Sequence, residues 1–167
     1  VDLMPDADID SVSVHCVNGS DFVLHANSSG GIWSGNGIVD SVSGVYSPSA
    51  AGAGSHLITY EINTGACSDM DSEIIEISPL PTINYIADEP SCHAYNDGII
   101  TVSSPDPGVS FSWLGYGNGN TLDSVGQGNY MVSAENQYAC SDTLSIYLSE
   151  PSQINIGFDT LNNISCY

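Results

Sequence analysis

Lysine and arginine are absent from this sequence, which has 20 aspartate and glutamate residues and four histidines among its 167 residues. An ordinary domain carries charges of both signs on about a quarter of its residues. Proteins bind nucleic acids and anionic lipid surfaces largely through lysine and arginine, and enzymes that transfer phosphoryl groups rely on the same side chains. We therefore expect no nucleic acid partner and no phosphoryl-transfer activity.

Long apolar runs are also absent. No stretch of the sequence approaches 18 consecutive apolar residues, and no signal peptide can be recognised. We therefore predict no direct insertion into a membrane. Any export signal or anchor is expected to lie outside this segment.

The residues that are present favour a folded chain. Hydrophobic residues make up 41% of the sequence, in short runs that can bury a core. Because no lysine or arginine is available to pair with them, the carboxylates repel one another unless salt or bound cations screen them. Stability must then come from burial, from hydrogen bonds between strands and from covalent cross-links.

The apolar residues alternate with polar ones in short segments. Val109–Trp113, His56–Tyr60 and Tyr130–Ala134 follow this period of two, and glycine, asparagine, aspartate or proline bounds them. No window shows the 3.6-residue period of a helix. The pattern predicts an all-β chain.

The second half of the chain repeats the first. A run at residues 54–60 leads to Cys-Ser-Asp at 67–69, and a run at 128–134 leads to Cys-Ser-Asp at 140–142. In both copies an apolar strand and then a proline follow. Such self-similarity indicates tandem units. We predict these unit boundaries: 1–81, 82–152 and the start of a third, incomplete unit at 153–167.

The five cysteines fit this repeat, because each complete unit has the order Cys, Trp, Cys. No C-x-x-C motif is present, which favours disulfides over a zinc or redox site. The repeat predicts these pairings: Cys16 with Cys67, Cys92 with Cys140, and Cys166 with a residue beyond the chain. The alternative for Cys166 is a free or intermolecular thiol.

Short strands with one tryptophan between two cysteines are typical of an immunoglobulin-like sandwich. We therefore predict an all-β fold of tandem immunoglobulin-like β-sandwich repeats, each with one internal disulfide. Trp33 and Trp113 are expected to pack in the core against these disulfides, although stacking on sugars is the alternative.

The second unit carries a series of short motifs in a fixed order: Asn96-Asp97-Gly98, Phe111-Ser112-Trp113, Gly128-Asn129-Tyr130-Met131-Val132, and Cys140 before a strand that ends in Glu150-Pro151. This order resembles the SprB-type repeat of the giant gliding-motility adhesins of Bacteroidota. The loop at 114–119 departs from the family pattern, where Ser-Asn-Gly is common.

The first unit resembles a sister immunoglobulin-like repeat of the same surface proteins, through its segments at 30–37, 46–48, 51–54 and 79–81. Together the two resemblances span nearly the whole chain. They imply type IX secretion, display on the outer membrane or release, and a role in adhesion, gliding motility or filament building.

The resemblance also implies O-glycosylation, since Bacteroidota attach glycans at Asp-Ser or Asp-Thr followed by an aliphatic residue, Met or Thr. The sequence has five matches, in which the modified residues are Ser11, Ser41, Ser124, Thr143 and Thr160. The alternative is that these dipeptides only make turns.

Two groups of aspartates offer hard oxygen ligands for a cation: Asp6, Asp8 and Asp10 in one, and Asp69 and Asp71 in the other. Bound Ca²⁺ would relieve the unpaired negative charge. Neither group has the glycine and terminal glutamate of an EF-hand, so solvated carboxylates are the alternative. We expect no other cofactor. The histidines show no metal-ligand spacing, and we predict no catalytic residue.

The sequence therefore predicts a segment of a large bacterial surface adhesin or filament, extracellular and not an enzyme, that acts as a stalk or spacer. Its expected partners are neighbouring repeats of the same polypeptide, with surface polysaccharide or other copies in a filament as further candidates. Two alternatives are a lectin-like carbohydrate-binding module and an accessory repeat of a secreted hydrolase.

Overall fold

The computed structural model describes residues 4–65 and 67–157. Residues 15–78 contain seven strands and one short helix: β1 (His15–Cys16), β2 (Phe22–Val23), β3 (Ile32–Gly35), β4 (Ile38–Asp40), β5 (Val45–Tyr46), α1 (Pro48–Ala51), β6 (Gly54–Asn63) and β7 (Ser68–Ser78). Residues 84–148 contain seven more strands: β8 (Asn84–Asp88), β9 (Gly98–Ser103), β10 (Ser110–Trp113), β11 (Gly117–Asn118), β12 (Thr121–Val125), β13 (Gly128–Glu135) and β14 (Ser141–Leu148). The predicted all-β class is confirmed.

The first unit is a sandwich of two sheets. One sheet has the strand order β1-β7-β6-β3 and the other has the order β2-β5-β4. β1 runs parallel to β7, whereas the other paired strands run antiparallel. The helix α1 is a single turn that begins at a proline, and it is too short to leave a periodic signal in the sequence.

The second unit is also a sandwich of a four-stranded and a three-stranded sheet, with its edge strands placed differently. Its sheets have the orders β11-β10-β13-β14 and β12-β9-β8. All of these strand pairs are antiparallel. A four-stranded sheet facing a three-stranded one, with a tryptophan on an inner strand of the larger sheet in this unit, is an immunoglobulin-like arrangement. The predicted tandem immunoglobulin-like fold is confirmed.

The alternation in the sequence is realised in the long hairpin strands. In β6, Ile58, Tyr60 and Ile62 are buried and Glu61 is exposed. In β13 the same face is formed by the residues at 130, 132 and 134, all buried. Each strand therefore turns one side toward its own core, as a period of two requires.

Each sandwich has its own hydrophobic core. The first contains Ala7, Ile9, Leu24, Trp33, Tyr46, Ile58, Tyr60, Ile62, Ile75 and Ile77. The second contains Ile100, Val102, Trp113, Leu122, Val125, Tyr130, Val132, Ile146 and Leu148. The two clusters share no residue, so the described chain has two cores. Among the described residues no helix is long and apolar enough to cross a bilayer.

Candidate functional site: the joint between the two units

A disulfide joins the first sandwich to the second. It links Cys16, the last residue of β1, to Cys140, which directly precedes β14, with their Cα atoms 5.4 Å apart. Cys67 and Cys92 have no disulfide partner within residues 4–65 and 67–157. The described part of the chain therefore has a disulfide between its units and none inside either unit.

The predicted pairing of Cys16 with Cys67 is wrong, and the length of β7 explains why. Cys16 lies opposite Ser78 at the end of β7, whereas Cys67 directly precedes Ser68 at its start. The 11 residues of β7 span about 36 Å at about 3.3 Å per residue, and a disulfide requires Cα atoms within about 7 Å. The two cysteines lie at opposite ends of their unit.

The predicted pairing of Cys92 with Cys140 is wrong for the same reason. Cys140 precedes the first residue of β14, whereas the turn that follows Cys92 is attached to Glu150, just beyond the end of β14. The eight residues of β14 keep the two cysteines about 26 Å apart. The predicted partner of Cys166 lies outside the described residues.

Asn136 completes the joint beside the disulfide. Its side-chain Nδ2 donates to Ser78 Oγ at 3.0 Å and to the Pro79 carbonyl at 3.1 Å. Its Oδ1 accepts the backbone N–H groups of Tyr138 and Cys140 at 3.0 and 3.1 Å. One side chain therefore shapes the hairpin loop of the second unit and attaches it to the end of the first.

The connecting segment lies along the second unit. The Thr82 N–H donates to Asp106 Oδ2 at 2.8 Å, and Pro81 is buried. Tyr138 forms part of the walls of two shallow clefts, which also include Ser78 and Pro79. The joint is thus held by a covalent bond, by hydrogen bonds and by proline packing.

Both tryptophans are core residues, as predicted. Trp33 is 5% exposed and Trp113 is 3% exposed. Trp33 packs on Tyr60, with ring centroids 4.4 Å apart, and the indole N–H of Trp113 donates to the Gly119 carbonyl at 3.0 Å. The expected disulfide beside each tryptophan is wrong, because residues 4–65 and 67–157 contain no disulfide within a unit.

The aspartates proposed as calcium ligands make hydrogen bonds within the first unit. Asp69 Oδ2 accepts the Ala7 N–H at 2.8 Å, and Asp71 Oδ2 accepts the Ile9 N–H at 2.9 Å. Asp6 Oδ2 accepts the side-chain amide of Asn27. Residues 4–65 and 67–157 contain no group of three or more His, Cys, Asp or Glu side chains placed to hold a metal. A calcium site at Asp6, Asp8, Asp10, Asp69 and Asp71 stays a prediction.

Four of the five predicted glycosylation residues are accessible. The side chains that the structure describes are exposed at each of these positions: Ser11, Ser41, Ser124 and Thr143. Thr160 lies outside the described residues. The neighbouring aspartates also make turn hydrogen bonds, since Asp40 Oδ1 accepts the Val42 N–H at 2.9 Å. Hydrogen bonds from the Ser43 side chain and from the backbone of residues 42 and 43 hold the pKa of Asp40 below its usual value.

The turn after Cys92 depends on two acidic residues whose roles the sequence did not reveal. Asp97 Oδ1 accepts the Ser91 N–H at 2.9 Å, and hydrogen bonds from the side chain and backbone of Ser91 lower the pKa of Asp97. Glu150 accepts the Ala94 N–H at 2.7 Å and contacts His93 Nδ1 at 2.7 Å. Both residues belong to motifs visible in the sequence, Asp-Gly and Glu-Pro, whereas Asn136 left no comparable signal.

Comparisons with known proteins find only distant similarities. No family model and no curated protein matches the chain. Among solved structures, an amphioxus IgVJ-C2 molecule is similar to it with 19% identity over 58% of this chain and a TM-score of 0.35. A chimeric titin Z1Z2 functionalized with a KLER exogenous peptide from decorin has 15% identity over 88% of this chain and a TM-score of 0.31. This chain covers 60% of the amphioxus chain and 95% of the titin chain. The immunoglobulin-like assignment accordingly rests on the strand order within each sandwich.

Proposed function

We propose that this chain is a segment of an extracellular stalk on a bacterial surface, in which pairs of immunoglobulin-like units serve as stiff spacers for adhesion or gliding. The observation that carries the proposal is the disulfide between Cys16 and Cys140. A bond inside a unit would protect that unit only, whereas a bond across the joint fixes the spacing of two units. Limiting the freedom between units is what a spacer requires.

Several features support a location outside the cytoplasm. Disulfides persist in oxidising compartments and are rare in the cytosol. The complete lack of lysine and arginine removes every cleavage site of trypsin-like proteases, which suits a protein exposed to the environment. The accessible residues Ser11, Ser41, Ser124 and Thr143 are compatible with O-glycans. Together with the resemblance to SprB-type repeats, these features support type IX export in a member of the Bacteroidota.

The burial of both tryptophans weakens the lectin-like alternative, because they were its candidates for stacking on sugars. A sugar platform needs exposed aromatic rings, and both tryptophans are nearly fully buried. The two clefts at the joint have a single aromatic residue in their walls, Tyr138. We therefore propose a mechanical role for this segment and assign ligand recognition to other parts of the parent polypeptide.

The proposal is tested by labelling cells of the source organism with antibodies raised against this segment. Binding to intact cells, at the same level as after permeabilisation, is the expected result, with a cytoplasmic protein as the negative control. Labelling that appears only after permeabilisation would contradict the proposal. Removing residues 1–152 from the parent polypeptide should shorten the distance between the cell and its substratum. Binding to the substratum should persist, because ligand recognition is assigned to other parts of the polypeptide.

A further inference from the structure

We infer that the disulfide between the units is one of a series along the same polypeptide. Each unit has a turn cysteine, Cys16 or Cys92, and a hairpin cysteine, Cys67 or Cys140. The turn cysteine of each unit bonds to the hairpin cysteine of the unit that follows it. Cys92 then bonds to the hairpin loop of a following unit, and Cys67 bonds to the turn cysteine of a preceding unit. This inference rests on the proposed function. It adds to that function the unit to which each end of the segment is bonded.

Cys92 occupies the same structural position as Cys16. In both cases the cysteine carbonyl accepts the N–H of the residue three positions later, from Gly19 at 2.8 Å in the first unit and from Tyr95 at 3.2 Å in the second. Cys16 lies beside the end of the last strand of its unit, opposite Ser78. The turn after Cys92 is attached to the corresponding place by Glu150. Cys16 and Cys92 therefore lie at corresponding places in their units, beside the end of the last strand.

Cys67 occupies the same position as Cys140. Each directly precedes the last strand of its unit. In each hairpin loop the cysteine carbonyl accepts a backbone N–H from the start of the loop, that of Thr64 to Cys67 at 2.9 Å and that of Asn136, in a loop one residue longer, to Cys140 at 3.0 Å. One cysteine of this kind already has a partner from another unit, which is the precedent for the second.

The surface next to Cys92 is the uncovered counterpart of the joint already formed. Cys92 lines a cleft of about 360 Å³ together with the segment from Pro151 to Ile154. In the formed joint, the equivalent Ile83 follows its proline and packs against the core of the second unit. Ile154 is 86% exposed and Ile156 is 77% exposed. A following sandwich would bury these side chains as the second unit buries Ile83.

The bond forms by thiol–disulfide exchange with an exported thiol oxidoreductase in its disulfide form. Two cysteine thiols lose two protons and two electrons as the S–S bond forms, and the disulfide of the oxidoreductase is reduced to two thiols. Cys92 is exposed, so it is accessible to both the oxidant and the partner loop. Repetition of this step along the polypeptide would cross-link every unit to the next.

The test is a disulfide map of the native parent polypeptide, alkylated before digestion. A protease that cleaves before aspartate separates the cysteines of this segment into peptides 10–20, 40–68, 88–96 and 123–141, and one that begins at 159. We expect 10–20 linked to 123–141, 88–96 linked to a peptide that follows residue 167, and 40–68 linked to one that precedes residue 1. The Cys92→Ser variant should expose one new alkylatable thiol in the following unit, and the Ser145→Ala variant, at an exposed position on β14, should expose none.

The outcomes separate the inference from the proposed function. An alkylated Cys92, with Cys16 and Cys140 still linked, would overturn the series and leave the extracellular role standing. A link from Cys92 to another polypeptide, seen as a larger species on a non-reducing gel, would overturn it in favour of intermolecular cross-linking. Complete alkylation of all cysteines would contradict both the series and the extracellular location.

Discussion

Two tyrosines in the first core differ in how their hydroxyl groups are satisfied. Tyr60 Oη accepts the Gly31 N–H at 2.8 Å and donates to the Ser28 carbonyl at 2.8 Å. Tyr46 is completely buried, and its hydroxyl has no hydrogen-bond partner among the described residues. An unpaired buried hydroxyl lowers stability, whereas a paired one contributes to it.

This difference predicts opposite responses to the same substitution. Tyr60→Phe should lower the free energy of unfolding by about 1–3 kcal/mol, because it leaves the Gly31 N–H unpaired. Tyr46→Phe should leave stability unchanged or raise it slightly. Denaturant unfolding followed by tyrosine and tryptophan fluorescence measures both. Equal losses in the two variants would contradict the assigned hydrogen bonding.

Tyr46 also predicts how stability changes at alkaline pH. Burial raises the pKa of its phenol above the ordinary value of 10.0, so the folded form holds this proton more tightly than the unfolded form. Its contribution is therefore fully present below pH 10.0 and is lost as the pH rises through the raised pKa. Unfolding curves between neutral pH and pH 11 should show a smaller alkaline loss for Tyr46→Phe than for the unaltered chain. An identical alkaline loss in both would contradict this account.

At the scale of the element, single backbone contacts decide which residue is tolerated. Gly98 begins β9, and a Cβ at this position would lie 2.7 Å from the Val125 carbonyl oxygen and 2.8 Å from Leu148 Cδ2. The glycine in the Asp-Gly motif is therefore required by close packing between strands. The sequence revealed the motif but not the neighbours that make it necessary.

Gly98→Ala should consequently lower the free energy of unfolding by about 1–3 kcal/mol through overpacking. Gly157→Ala is the matched control, since a Cβ there meets no atom within 4 Å. Thermal unfolding of the two variants provides the comparison. If the Gly98→Ala variant is as stable as the unaltered chain, β9 and β12 can move apart to accommodate the Cβ without a loss of stability, which would contradict this prediction.

The N-terminal segment depends on carboxylates of β7. Asp71→Ala removes the acceptor of the Ile9 N–H, so amide exchange at Ile9 should accelerate about tenfold, because a lost hydrogen bond costs about 1 kcal/mol or more. Asp21→Ala, at an exposed position, is the control and should leave this amide unchanged. Unaltered exchange in the Asp71→Ala variant would mean that the segment is held by other contacts.

The strands were predictable from the sequence because alternation reports which side chains face a core. The pattern at 54–60 and 128–134 identified β6 and β13, and the order Cys, Trp, Cys identified the repeat. The joint was not predictable in the same way. A repeated order of cysteines fixes their spacing along the chain, but it does not reveal at which end of a sandwich each cysteine lies.

At the scale of the whole molecule, the position of the cysteines relative to the last strand determines the disulfide. A cysteine before this strand and one beside its end are separated by the full length of the unit, so they do not bond to each other, and Cys16 instead bonds to Cys140 of the other unit. The hydrogen bonds from Asn136 to Ser78 and Pro79 lie beside the bridge. Within residues 4–65 and 67–157, two separate cores and one disulfide between the units make a two-unit segment with a covalent connection.

Pulling a single molecule by its two ends tests this connection most directly. The disulfide spans a sequence separation of 124 residues, which are shielded from force, so the oxidised chain should extend only by the residues outside 16–140. Reduction should release a further length of about 450 Å, at about 3.6 Å per residue. Disulfides within each unit would leave the residues between the units free to extend under force. An oxidised chain whose extension includes those residues would therefore contradict the account.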